Sequence, residues 1–117
     1  MSDTVTAYLE TWNTTDAAAR TALLARHWTP GATYTDPLAE AVGAEAIGAT
    51  IGAIHDQFPG FVFTQVGEPD AHHRQIRFQW GLGPAGAEPV IIGFDVVVTD
   101  DRGRIETVLG FLDKVPG

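Results

Sequence analysis

Gln75-Ile76-Arg77-Phe78-Gln79-Trp80-Gly81-Leu82 alternates apolar with polar or small residues without a break. Successive side chains of a strand point to opposite faces, so this period of two marks a strand buried on one face. Gly83-Pro84-Ala85-Gly86 then turns the chain, and the run from Pro89 to Thr99 is apolar on both faces. Asp100-Asp101-Arg102-Gly103 turns it again, and Arg104 to Asp113 reads as a last strand. Strand character begins at Phe61, directly after the helix-breaking pair Pro59-Gly60. The second half of the chain is therefore read as an antiparallel meander.

The first half follows the helical period. Val5, Tyr8, Leu9 and Trp12 share one face of a short helix that Asn13-Thr14-Thr15 ends. Asp16 caps a second helix whose predicted buried stripe is Ala19, Leu23, Leu24 and His27, running toward Trp28 and stopping before Pro30-Gly31. Ala32 to Asp36 reads as a short strand. Pro37 forces extended geometry on Asp36 and cannot supply a ladder N–H, so the strand should end there. A third helix starts near Gly43 and carries Ile47, Ile51, Ile54, His55 and Phe58 at helical spacing. Gly48 and Gly52 lie one turn apart in it, each costing about 1 kcal/mol of helix stability, which predicts close approach of this helix to a neighbour. Helices first and strands afterwards indicate an α+β fold.

With 117 residues, 44% of them hydrophobic, the chain is expected to form one domain spanning 1–117 around one core. Its apolar runs are far shorter than a membrane span, and Met1-Ser2-Asp3-Thr4 carries no signal-peptide pattern, so a cytoplasmic location is expected. Cysteine is absent, which removes disulfides, thiolate metal sites and cysteine nucleophiles. The net charge of −8, with seven basic residues thinly spread, argues against nucleic acid and anionic membranes as partners. A small hydrophobic molecule fits better. The strand apolar on both faces needs cover that three helices on one side cannot give, which predicts a homodimer through the outer face of the sheet.

The order helix, helix, strand, helix, meander resembles the cone of the nuclear-transport-factor-two-like superfamily, in its SnoaL-like and ketosteroid-isomerase-like branch. Three stretches carry the likeness: Tyr8-Leu9-Glu10-Thr11-Trp12-Asn13 with Asp16, Ala32-Thr33-Tyr34-Thr35-Asp36-Pro37, and Val90-Ile91-Ile92-Gly93-Phe94-Asp95. The resemblance implies a curved mixed or antiparallel sheet packed against three helices in the N-terminal half, enclosing an apolar pocket. It also implies a role for three residues: Asp36 as general base, Tyr8 as oxyanion donor and Asp95 as a protonated carboxylic acid. Moving a proton alpha to a carbonyl requires such a base and such donors. An apolar pocket walled by Trp12, Trp28, Phe58, Phe63, Trp80 and Phe111, with His55 beside it, is expected to hold the substrate.

Each residue also has a structural reading. Aspartate before proline commonly fixes a turn, Tyr8 on an apolar stripe can be a core residue, His55 can be a core histidine, and Asp95 can pair with Arg77 or Arg74. Adjacent histidines on a strand face opposite ways, so His72 and His73 are not expected to share a metal. The lone serine, Ser2, and the lone lysine, Lys114, lie near the termini and argue against a serine triad or an imine mechanism. No glycine-rich phosphate loop precedes a helix, so no cofactor is expected. Three functions stay open: an isomerase or cyclase, a non-catalytic module binding a hydrophobic ligand or protein, and an epoxide hydrolase using Asp36, Asp95 and Arg77.

Overall fold

The computed structural model describes residues 2–116; Met1 and Gly117, the two ends of the predicted 1–117 domain, lie outside the described residues. The elements run α1 (Ser2–Asn13), α2 (Ala17–His27), β1 (Trp28–Thr35), β2 (Glu40–Val42), α3 (Ala44–Gln57), β3 (Phe61–His72), β4 (Gln75–Pro84), β5 (Ile91–Thr99) and β6 (Ile105–Lys114). The strands form one sheet in the order β2-β1-β6-β5-β4-β3. All neighbours are antiparallel except β1 and β6, which are parallel because α3 and the meander separate them in sequence. The three helices pack against one face, giving an α+β fold around a mixed, open sheet.

Alternation decides what faces the helices. Ile76, Phe78, Trp80 and Leu82 are all buried. In β5, Ile91, Gly93, Asp95, Val97 and Thr99 are buried while the residues between them are half-exposed. The register shifts between Val66 and Asp70 on β3, and between Ile92 and Gly93 and between Val98 and Thr99 on β5, irregularities of the kind that bend and twist a strand. No helix among the described residues is long and apolar enough to cross a membrane.

The helices meet as the glycine pair requires. A Cβ on Gly48 would lie 3.2 Å from Leu24 Cδ1, and one on Gly52 3.0 Å from an Arg20 guanidinium nitrogen. The α2 stripe differs from its expected form: Ala19 is exposed, Leu23 and His27 are half-buried, and Arg20 is buried in their place. Arg20 Nη1 donates to the Thr14 and Thr15 carbonyls at 3.0 and 3.4 Å, satisfying groups just past the C-terminus of α1. Asp16 caps α2 as read, accepting from the Ala19 N–H at 2.8 Å.

β1 starts four residues earlier than expected, at Trp28. Pro30 and Gly31 do not break it because the β1/β6 register shifts between Trp28 and Thr33, so a bulge absorbs both. β2, only three residues long, has no sequence signal. His73 sits in a turn with φ 53°, so the His72 and His73 rings do not face opposite ways but approach to 5.5 Å. Among the described residues, no group of three or more acidic or histidine side chains is placed to hold a metal ion.

Candidate active site

The end of β1, the middle of α1 and the inner face of the sheet converge on one cavity of about 250 Å³. Tyr8, Trp12, Tyr34, Asp36, Phe63 and Trp80 form its polar and aromatic wall. Ile54, Phe58, Leu82, Ile91 and Leu112 add aliphatic and aromatic surface, and the exposed side chains of Leu38 and Val115 also border it. Asn13 locks α1 to the edge of the sheet as a strand would: its amide accepts from Phe63 N–H at 2.7 Å and donates to Phe63 C=O at 2.8 Å. That clamp fixes Trp12 one residue earlier against the Phe63 ring, with centroids 5.2 Å apart.

Asp36 directly follows β1, where Pro37 stops the ladder. Its Oδ1 accepts from the N–H groups of Leu38 and Ala39, both at 2.8 Å, and its Oδ2 accepts from the Tyr34 hydroxyl at 2.5 Å. Three donors thus hold the carboxylate in one orientation at the cavity wall. Sequence reasoning misses Tyr34. Its position two residues before Asp36, on the same face of an extended segment, is the available signal. Burial, reinforced by the Asp36 hydrogen bond, pushes the Tyr34 hydroxyl far above its ordinary range, so it stays a donor.

Asp95 lies deeper. It is 1% exposed, does not line the cavity, and accepts a short hydrogen bond on Oδ2 from the Tyr8 hydroxyl. Its Oδ1 is buried without a partner. Burial pushes the carboxyl up to about 6; the Tyr8 hydroxyl and the Trp80 indole act the other way, and the Asp36 charge adds to the rise. Neither Arg77 nor Arg74 pairs with it. Arg77 instead bonds Asp70 at 3.3 Å across exposed surface, so the Asp36, Asp95 and Arg77 trio of an epoxide hydrolase does not assemble. Burial, then the Asp95 charge, raises the Tyr8 hydroxyl well above its ordinary range.

The site therefore consists of two tyrosine–aspartate pairs: Tyr34 with an Asp36 that borders the cavity, and Tyr8 with an Asp95 behind it. Trp12, Phe58, Phe63 and Trp80 line the cavity, and three expected lining residues do not. Trp28 is fully buried behind Tyr8, stacked at 5.6 Å with its indole N–H on Thr11 Oγ1 at 3.2 Å. His55 turns away to the Trp12 carbonyl oxygen at 2.5 Å, and because that oxygen only accepts, Nε2 carries the proton. Phe111 is 58% exposed because β6 directs it to the outer face, opposite Gly110 and Leu112. Trp80 reaches the cavity over Gly93, where a Cβ would fall 2.0 Å from its ring.

Comparison with known proteins agrees with this architecture. A candidate isomerase of the SnoaL-like family from Agrobacterium tumefaciens superposes with a TM-score of 0.90 at 38% identity, over 95% of each chain. A candidate polyketide cyclase from Sinorhizobium meliloti superposes at 0.71 with 19% identity, over 95% of this chain and 94% of that one. A candidate ketosteroid isomerase from Kribbella flavida also gives 0.71, with 14% identity over 98% of this chain and 78% of that one. The last two likenesses speak for the fold alone. No curated protein matches the chain. The family model of the SnoaL-like domain matches residues 5–108, from the helix that carries Tyr8 into β6, and the chain belongs to the SnoaL-like family.

Proposed function

We propose that the protein is a cofactor-independent isomerase or cyclase that moves a proton alpha to the carbonyl of a small hydrophobic substrate. The observation that carries this reading is the contrast between two carboxyl groups at one apolar cavity. Asp36 is oriented by three donors, whereas burial in Asp95 favours the acid. Asp36 would take the proton from the α carbon while the carbonyl π electrons move to oxygen. Tyr8 would donate to that oxygen, and Asp95 in its acid form, which prevails below about pH 6, would donate to the Tyr8 oxygen, freeing the Tyr8 proton for the cavity. In a β,γ-unsaturated ketone, return of the proton from Asp36 to the γ carbon shifts the double bond into conjugation and completes an isomerisation. Alternatively, attack of the enolate carbon on a second carbonyl closes a ring, and the resulting alkoxide takes the proton back.

One observation favours a non-catalytic module that only binds a hydrophobic ligand: the three bonds on Asp36 are also those of a residue that fixes the turn at 36–39. Planar phenols imitate the enol and separate the two readings. Under the enzyme reading, 2-naphthol raises the melting temperature, binds at least tenfold more weakly to Tyr8→Phe, and binds more tightly to Asp36→Asn, where the facing negative charge is gone. No shift with phenols or unsaturated ketones would overturn it.

We also propose that two copies pair through the outer face of the sheet. Phe94 lies opposite Phe111, and Val96 opposite Leu109, on that face, where Phe111 and Leu109 are 58% and 45% exposed. A second copy would cover this apolar patch. Sedimentation at micromolar concentration is expected to give a dimer that Phe111→Glu converts to monomer; a monomeric parent protein would refute the pairing.

A further inference from the structure

β6 carries a glycine in the inward row where its neighbours, Val108 and Leu112, have branched side chains. Gly110 is buried, and its backbone is not in the left-handed region that calls for glycine. A glycine inside a strand weakens it, so some contact must compensate. Space is the reason here. A Cβ on Gly110 would lie 2.8 Å from Asp95 Oδ1 and 3.2 Å from Asp36 Cβ, with the Thr35 carbonyl oxygen at 3.5 Å. The register explains the convergence: Gly110 pairs with Asp95 on one side, and Leu109 just before it pairs with Thr35, the last residue of β1, on the other. One missing side chain thus leaves the room into which the Asp95 carboxyl and the Asp36 side-chain stem both reach. The Asp95 oxygen beside this gap is Oδ1, not the Oδ2 that takes the Tyr8 hydroxyl.

We propose that Gly110 is a positioning residue: its absent side chain seats the Asp95 carboxyl against the Tyr8 hydroxyl and lets Asp36 stand beside it at the cavity. Any side chain at 110 displaces Asp95 from Tyr8, because the strand backbone on both sides of the glycine is held in the ladder. The consequence for catalysis rests on the proposed function, whereas the seating of Asp95 is testable without turnover.

The test compares Gly110→Ala with Gly31→Ala in the full chain, since a Cβ on Gly31, also in a strand, meets nothing within 4 Å. Two readouts are followed: the titration of the Asp95 side-chain carbonyl carbon by NMR, and the affinity for 2-naphthol. Gly110→Ala is expected to move the Asp95 midpoint and to weaken 2-naphthol binding at least tenfold, while Gly31→Ala matches the parent in both. An unchanged Asp95 titration in folded Gly110→Ala overturns the proposal. If the parent binds no 2-naphthol, the functional reading fails and the titration alone decides the role of Gly110. Should Gly110→Ala not fold, Gly110→Ala combined with Asp95→Ala supplies the missing room. Recovery of the fold supports the proposal, and a double variant as unfolded as the single one refutes it.

Discussion

Asp36→Asn is expected to lower kcat/KM for the isomerisation of a β,γ-unsaturated ketone by about 100-fold to 10,000-fold, the range for loss of a positioned general base. The melting temperature should stay within a few degrees of the parent. The geometry supplies both halves of the expectation. An amide oxygen can still accept from the Leu38 and Ala39 N–H groups, and the amide nitrogen can still meet the Tyr34 hydroxyl oxygen, so the turn survives. What the amide lacks is a lone pair basic enough to take a carbon-bound proton. Growth of conjugated-enone absorbance measures the loss directly. Asp36→Ala serves as the contrast, because it removes the two turn bonds as well and should cost about 1–2 kcal/mol of stability. Turnover that persists in Asp36→Asn would make Asp36 a turn residue and refute its role as the base.

The difference between Tyr34 and Trp28 shows how far the sequence carries. Period and punctuation locate three helices and the meander, because each depends on neighbours in the chain: Pro37 ends β1, and Gly48 and Gly52 admit α2. Likeness of short stretches singles out Tyr8, Asp36 and Asp95, which the fold brings to one site from α1, the end of β1 and the middle of β5. Facing, however, depends on register. Phe111 reads as a wall residue because it is aromatic, but the antiparallel pairing of Phe94 with Phe111 turns both outward, and Gly110 takes the inward position. Trp28 and His55 leave the cavity for another reason: each has a local partner, Thr11 and the Trp12 carbonyl, that composition does not reveal. The parallel β1/β6 contact, which sets Gly110 beside both Asp36 and Asp95, joins residues far apart in the chain. Nothing local encodes it.

The second large effect concerns pH. Burial raises the Asp95 carboxyl from 3.8 to about 6 in the folded protein, whereas the unfolded chain leaves it near its ordinary value. Between those two values the native state binds the extra proton, so stability falls as pH rises. The contribution is fully present below about pH 3.8 and is lost as pH passes through about 6. The size is about 3 kcal/mol, because each tenfold gain in proton affinity on folding is worth about 1.36 kcal/mol. Asp100 works in the opposite direction. Backbone N–H donation from Arg104 holds its carboxyl below the ordinary value, so its contribution grows with pH and ends before the Asp95 window is crossed. Subtracting the stability of Asp95→Asn from that of the parent at each pH removes Asp100 and every other shared group. The amide does not titrate and should retain the place of the carboxyl against Tyr8, so the difference isolates Asp95. Urea unfolding at intervals from pH 4 to pH 8 should therefore show the parent losing stability relative to Asp95→Asn up to about pH 6 and running parallel above pH 7. A flat difference across that range would mean that Asp95 is ionised throughout, so that no neutral donor stands behind Tyr8 even below pH 6.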